Sequence, residues 1–145
     1  MEAEHRRISF TLRMINNRIR AIICKSVPKS DMAPQSQLQG GILGFLYHHR
    51  EEAVYQKDIE KEFRISRATA TNTLQVMEKN GLIYREAVPY DARLKRIVAT
   101  EKAMQYQELI HQSLEETEDR LTSGISSQDL AVFFRVINQM IRNMS

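Results

Sequence analysis

Apolar residues recur at helical spacing along most of the chain, broken by one stretch that reads as two strands. In "RISFTLRMINNRIRAIICK" (7–25), Ile8, Leu12, Ile15, Ile19, Ile22 and Ile23 share a face with arginines between them, which predicts an amphipathic helix. "SVPKSDMAPQS" (26–36) holds two prolines among polar turn formers and predicts a loop. "QLQGGILGFLYHHR" (37–50) predicts a second, apolar helix. Gly40, Gly41 and Gly44 weaken its intrinsic propensity, and are expected to let another helix come close. "YQKDIEKEF" (55–63) predicts a short helix with Ile59 and Phe63 one turn apart, and "RIS" (64–66) a tight connection. "RATATNTLQVMEKNG" (67–81) predicts a helix capped by Ser66 and stopped by Gly81. Its buried face is Ala70, Leu74 and Met77; Ala68, Asn72, Gln75 and Lys79 lie opposite, and Arg67, Thr69 and Thr71 crowd its first turn. "LIYREAV" (82–88) and the stretch after the Pro-Tyr-Asp turn in "PYDARLKRIVAT" (89–100) predict a hairpin. A long helix over 101–121, a break at Gly124 and a last helix over 127–144 complete the chain. That last helix carries Leu130, Phe133, Phe134, Ile137 and Ile141 on its apolar side.

Helix, tight turn and helix with a small polar first turn make a helix-turn-helix, and the hairpin that follows makes it winged. The fold class expected is mainly α with a small β-hairpin wing, flanked by N- and C-terminal helices. The second helix of such a unit fits the major groove of DNA, where short side chains let its start approach base edges. An arginine at the wing tip is drawn to the negative potential of the minor groove.

Composition narrows the partners. The net charge of +3 is mild but uneven. Arg64, Arg67, Lys79, Arg85, Arg93, Lys95 and Arg96 outnumber Glu78, Glu86 and Asp91 around the hairpin, whereas residues 101–145 are predominantly acidic. A basic centre suits a polyanion, and is equally what an uneven solvated surface shows. Apolar stretches such as "GILGFLY" are too short to span a bilayer, and "MEAEHRR" lacks the pattern of a signal peptide. Cys24 has no second cysteine to pair with, which fits a reducing cytoplasm. No glycine-rich phosphate loop, nucleophile elbow or zinc spacing occurs, so an enzyme is not expected, and "EETED" (115–119) reads as a solvated helix face.

The ordered pieces "SRATATNTLQVMEKNGLIYRE", the "DAR" of the wing, the "AT-EKA" start of the next helix and the tail "SGISSQDLAVFFRVINQMIRNM" resemble the MarR family of bacterial transcription regulators (multiple antibiotic resistance type) over roughly residues 8–144. The resemblance implies a single domain over 1–145, with a DNA-binding lobe at 37–100 and a helical dimerisation lobe formed by 1–30 and 101–145. It implies a homodimer on a pseudo-palindromic double-stranded operator. Thr69, Thr71 and Asn72 then fall at major-groove or phosphate positions, with Ser66, Arg67 and Gln75 beside them. Asp91 and Arg93 fall on the wing pair in which the aspartate orients an arginine into the minor groove, with Lys95 and Arg96 on adjacent phosphates. Asn72 stands where many relatives carry arginine, and asparagine more naturally reads adenine. "VATEKA" departs from the commoner "LTEKG", a change expected to affect packing.

Each feature also has a plainer reading. Arg93 can be a solvated turn residue paired to Asp91, and the threonines simple surface positions, although Thr and Asn are poor helix formers. The basic residues include phosphate contacts and mere solubilisers, which sequence does not sort. Cys24 invites a thiol-based redox sensor, but a helix C-terminus disfavours a thiolate, so a plain cysteine is the simpler expectation. His5, His48, His49 and His111 contain no i, i+4 pair, so no metal is expected. Tyr47, Tyr55, Tyr106 and the phenylalanines are core or line a pocket for a small aromatic effector between the two lobes; no other cofactor is expected. Besides a ligand-responsive repressor, the alternatives are a winged helix that binds protein rather than DNA and a redox regulator acting through Cys24.

Overall fold

The computed structural model describes residues 7–145; the amino-terminal stretch read against a signal peptide, and His5, lie outside them. The order is α1 (Ile8–Ser26), α2 (Gln37–His48), α3 (Gln56–Phe63), α4 (Arg67–Lys79), β1 (Ile83–Val88), β2 (Asp91–Ala99), α5 (Glu101–Thr122) and α6 (Ser127–Asn143). The chain divides into two compact units, Val27–His111 and a second made of the N-terminal residues to Ser26 with Gln112–Ser145. Each helix falls where the apolar period places it, with ends moved by a residue or two as fraying allows.

The first unit is organised around one core. Ile42, Leu43 and Leu46 of α2 meet Ile59 of α3, Leu74 and Met77 of α4, Leu82, Ile83, Ile97 and Ala103. The ring of Phe63 lies where a Cβ on Gly41 would come within 2.7 Å of it, so the close approach expected of the α2 glycines is real at Gly41. Gly44 has nothing within 4 Å and gives no such approach.

The turn from α3 to α4 takes two residues after a left-handed Arg64 (φ 50°, ψ 46°), whose N–H, like that of Ile65, reaches the Glu60 carbonyl. Ser66 then caps α4, its hydroxyl accepting from the Thr69 N–H at 3.1 Å. Gly81 (φ +74°) takes the left-handed turn that ends α4 and starts the wing. β1 and β2 pair antiparallel from Ile83 opposite Ala99, with a register shift between Ala87 and Val88. The Ile97 N–H also donates to the Val54 carbonyl at 2.7 Å, which ties the hairpin base to the segment before α3.

In the second unit, α1 and α6 are amphipathic yet contain no buried residue. Ile8, Phe10, Leu12 and Ile15 are exposed on α1, as are Val132, Phe133, Phe134, Val136 and Ile141 on α6.

Candidate nucleic-acid interface

The start of α4 is polar because its apolar residues are spent on the core: Ala70, Leu74 and Met77 are fully buried, which turns Arg67, Ala68, Asn72 and Gln75 outward. Thr71 is half-buried and accepts a hydrogen bond from the Gln56 amide nitrogen at 2.9 Å. The wing faces the same space. An open groove of about 710 Å³ runs between the starts of α3 and α4 and the hairpin, with Lys57, Arg67, Arg85, Arg93 and Lys95 as its bases.

The wing tip is built locally. Asp91 accepts from the Arg93 backbone N–H at 2.9 Å and from its Nε at 3.3 Å, so one carboxylate shapes the turn and braces the guanidinium. The Arg93 side chain is 91% exposed even as its guanidinium leans on Asp91. The hydroxyls of Tyr55, at the start of α3, and Tyr90, in the wing turn, are hydrogen-bonded. This bond to Tyr90, then burial, raises the Tyr55 phenol above its usual 10.0. The wing is therefore tied at its tip to the start of α3, and at its base to the segment before α3.

Residues 30–94 match the MarR family. The Staphylococcus aureus MepR–DNA complex is similar at 27% identity, over 96% of this chain and 99% of that one, with a TM-score of 0.72. S. aureus MepR bound to ethidium bromide is 26% identical over 96% and 97%, with a TM-score of 0.65. The transcription regulator MarR from Oenococcus oeni PSU-1 is 25% identical over 93% and 96%, with a TM-score of 0.64.

Over its winged-helix part the chain is similar to the MarR family.

The MarR-family homologues are transcription regulators rather than enzymes, and among the described residues six helices with a two-stranded hairpin make the winged-helix fold expected from the sequence. The residues singled out from sequence separate by where the fold places them. Arg67, Thr71, Gln75, Arg93 and Lys95 line the groove together. Ser66, Thr69 and Asn72 are exposed at the start of α4 without lining it, and the Ser66 hydroxyl is engaged in the cap and with the Thr69 hydroxyl at 2.9 Å. Asp91 acts through Arg93. Arg96 does not join Lys95: successive strand residues point to opposite faces, and Arg96 pairs with Glu86 at 2.6 Å and lines a separate cleft with His49 and Arg50.

Two elements of the site escaped sequence reasoning. Glu78 pairs with Arg85 at 3.1 Å and Glu86 with Arg96, so these two of the basic residues around the hairpin already hold a carboxylate. Gln56 and Tyr55 enter through contacts across α3, α4 and the wing, between positions with no local periodic relation. Among the described residues no group of three or more His, Cys, Asp or Glu side chains is placed to hold a metal, and no helix is long and apolar enough to cross a membrane. Cys24 is an exposed free thiol. Tyr47 is core, its hydroxyl bonded to the Glu108 carboxylate, while Tyr55 borders the groove.

Proposed function

We propose that this chain is a homodimeric, sequence-specific DNA-binding repressor of the cytoplasm, released by a small aromatic molecule. The observation that carries the DNA reading is one groove shared by the start of α4 and the braced Arg93, five of whose walls are basic side chains. In this reading α4 enters the major groove and Arg93 the adjacent minor groove. Lys57, Arg67 and Lys95 hold phosphates, and Asn72 and Gln75 face base edges. The MepR–DNA complex, similar over nearly the whole chain, supports it.

The exposed apolar faces of α1 and α6 support a second copy of the chain as partner, because contiguous apolar surface of that kind is ordinarily covered. Two copies would read half-sites about 10 base pairs apart. The ethidium-bound MepR supports an aromatic effector.

Fluorescence anisotropy against the DNA upstream of its own gene, with random duplex as competitor, tests the reading. Selective binding that weakens steeply with salt is expected, with a log–log slope of about −0.9 per phosphate contact. Arg93→Ala should cost about 1–3 kcal/mol. Equal affinity for both duplexes would reject sequence specificity, and an unaltered Arg93→Ala variant would remove the wing from it.

A further inference from the structure

Three threonine hydroxyls in these helices spend their proton on the carbonyl one turn back. Thr11 does so to Arg7 at 3.3 Å, Thr117 to Ser113 at 2.7 Å and Thr122 to Glu118 at 3.0 Å. This is the usual local competition of threonine with the helix backbone. Thr71 differs. Its oxygen takes a proton from the Gln56 amide at 2.9 Å, and among the described residues its own proton is given to no protein group. A hydroxyl has one proton and two lone pairs. With a lone pair filled from the α3 side, the proton points elsewhere than Gln56, and both residues line the groove.

We propose that Gln56 is a positioning residue that fixes the polarity of Thr71, making its hydroxyl an outward donor that selects a hydrogen-bond acceptor on bound DNA. This rests on the DNA-binding reading above and deepens it. Acceptors on DNA are the phosphate oxygens and, in the major groove, N7 of either purine, O6 of guanine and O4 of thymine. The amino groups of adenine and cytosine are donors and would meet the Thr71 proton head-on. The start of α4 is thereby biased toward acceptor-bearing edges by a residue of the preceding helix. Gln56 supplies this from the first position of α3, where its own backbone N–H needs no helical partner and its side chain is free to reach across.

A double-mutant cycle tests it. Thr71→Val removes the hydroxyl and keeps the shape; Gln56→Met removes the amide donor without adding charge. In the native background Thr71→Val should weaken binding to the selected duplex roughly fivefold, the worth of one ordinary net hydrogen bond. In the Gln56→Met background the same change should cost less than about twofold, because the freed hydroxyl turns to the Arg67 carbonyl as its counterparts do. Gln56→Glu, whose carboxylate only accepts, should draw the Thr71 proton inward and abolish the effect likewise, and Thr71→Ser should restore it in the native background. Duplexes carrying 7-deazapurine identify a base acceptor if one substitution costs native protein fivefold and Thr71→Val nothing. Single methylphosphonates identify a phosphate acceptor by the same pattern.

Circular dichroism melts confirm folding of each variant, and the cycle is read within matched backgrounds. An equal Thr71→Val penalty with Gln56, Met or Glu at position 56 overturns the proposal while selective binding and the Arg93→Ala loss stand. A Thr71→Val variant that binds as native also overturns it. Absence of any selective binding removes the DNA reading and this inference with it.

Discussion

At the scale of single residues, the wing is positioned by groups whose roles are set by one partner each. Asp91 holds Arg93 at its base, and Tyr90 reaches Tyr55 across the hairpin. A phenol whose pKa is raised in the folded state favours its neutral form there. The Tyr55–Tyr90 contact therefore contributes below the ordinary tyrosine range and is lost as pH rises through the raised Tyr55 value. Tyr90→Phe should return Tyr55 toward its ordinary 10.0, seen as an earlier phenolate absorbance rise in an alkaline titration. An onset of phenolate absorbance at the same pH as in the native protein would mean that the two hydroxyls are not bonded in solution. Arginine at 64 is the other residue-scale feature, since it is the one non-glycine residue with positive φ among those described. The cost of that conformation, about 1 kcal/mol, is tolerated where the chain must turn within two residues.

At the scale of elements, packing and charge pull in different directions. The glycines of α2 separate by what faces them. Gly41→Ala should destabilise the fold by about 1–3 kcal/mol in urea melts, because the new methyl meets the Phe63 ring. Gly44→Ala, in open space, should be neutral or stabilise by up to about 1 kcal/mol through helix propensity. Equal effects would mean that Phe63 moves aside at no cost. In the groove beside the wing, Glu78 both neutralises Arg85 and adds a negative charge. Exposed pairs of this kind stabilise a fold by less than about 1 kcal/mol, so losing one leaves folding nearly intact. Glu78→Gln should raise affinity for random duplex several-fold and steepen its salt dependence, measured by anisotropy across salt. Unchanged non-specific binding would show that Arg85 takes no part at the phosphates.

At the scale of the whole molecule, the question is what covers α1 and α6. Helices whose apolar stripe holds no buried residue contribute little to a core of their own. Phe133→Asp combined with Phe134→Asp should give a monomer by sedimentation velocity with its helical circular dichroism retained. Loss of the second half-site contact should lower operator affinity by a hundredfold or more, since linked binding multiplies affinity by about that factor. A dimer that survives both charges would place the partner surface elsewhere.

Much of this was legible in order along the chain. The 3.6-residue period, Ser66, Gly81 and the Pro-Tyr-Asp turn are local signals, because capping, left-handed turns and helical faces depend on neighbours within a few positions. They determined the helices of the described residues, the hairpin and the polar start of α4, and so the winged helix. The pairings that decide what the site can do join residues distant in sequence. Gln56 meets Thr71 across the tight turn, Tyr55 meets Tyr90 across two helices, and Glu86 takes Arg96 from the partner strand. Periodicity assigns a side chain to a face but not to a partner. Only the packing of α3, α4 and the wing around the Ile59–Leu74–Ile83 core brought those atoms within hydrogen-bonding distance.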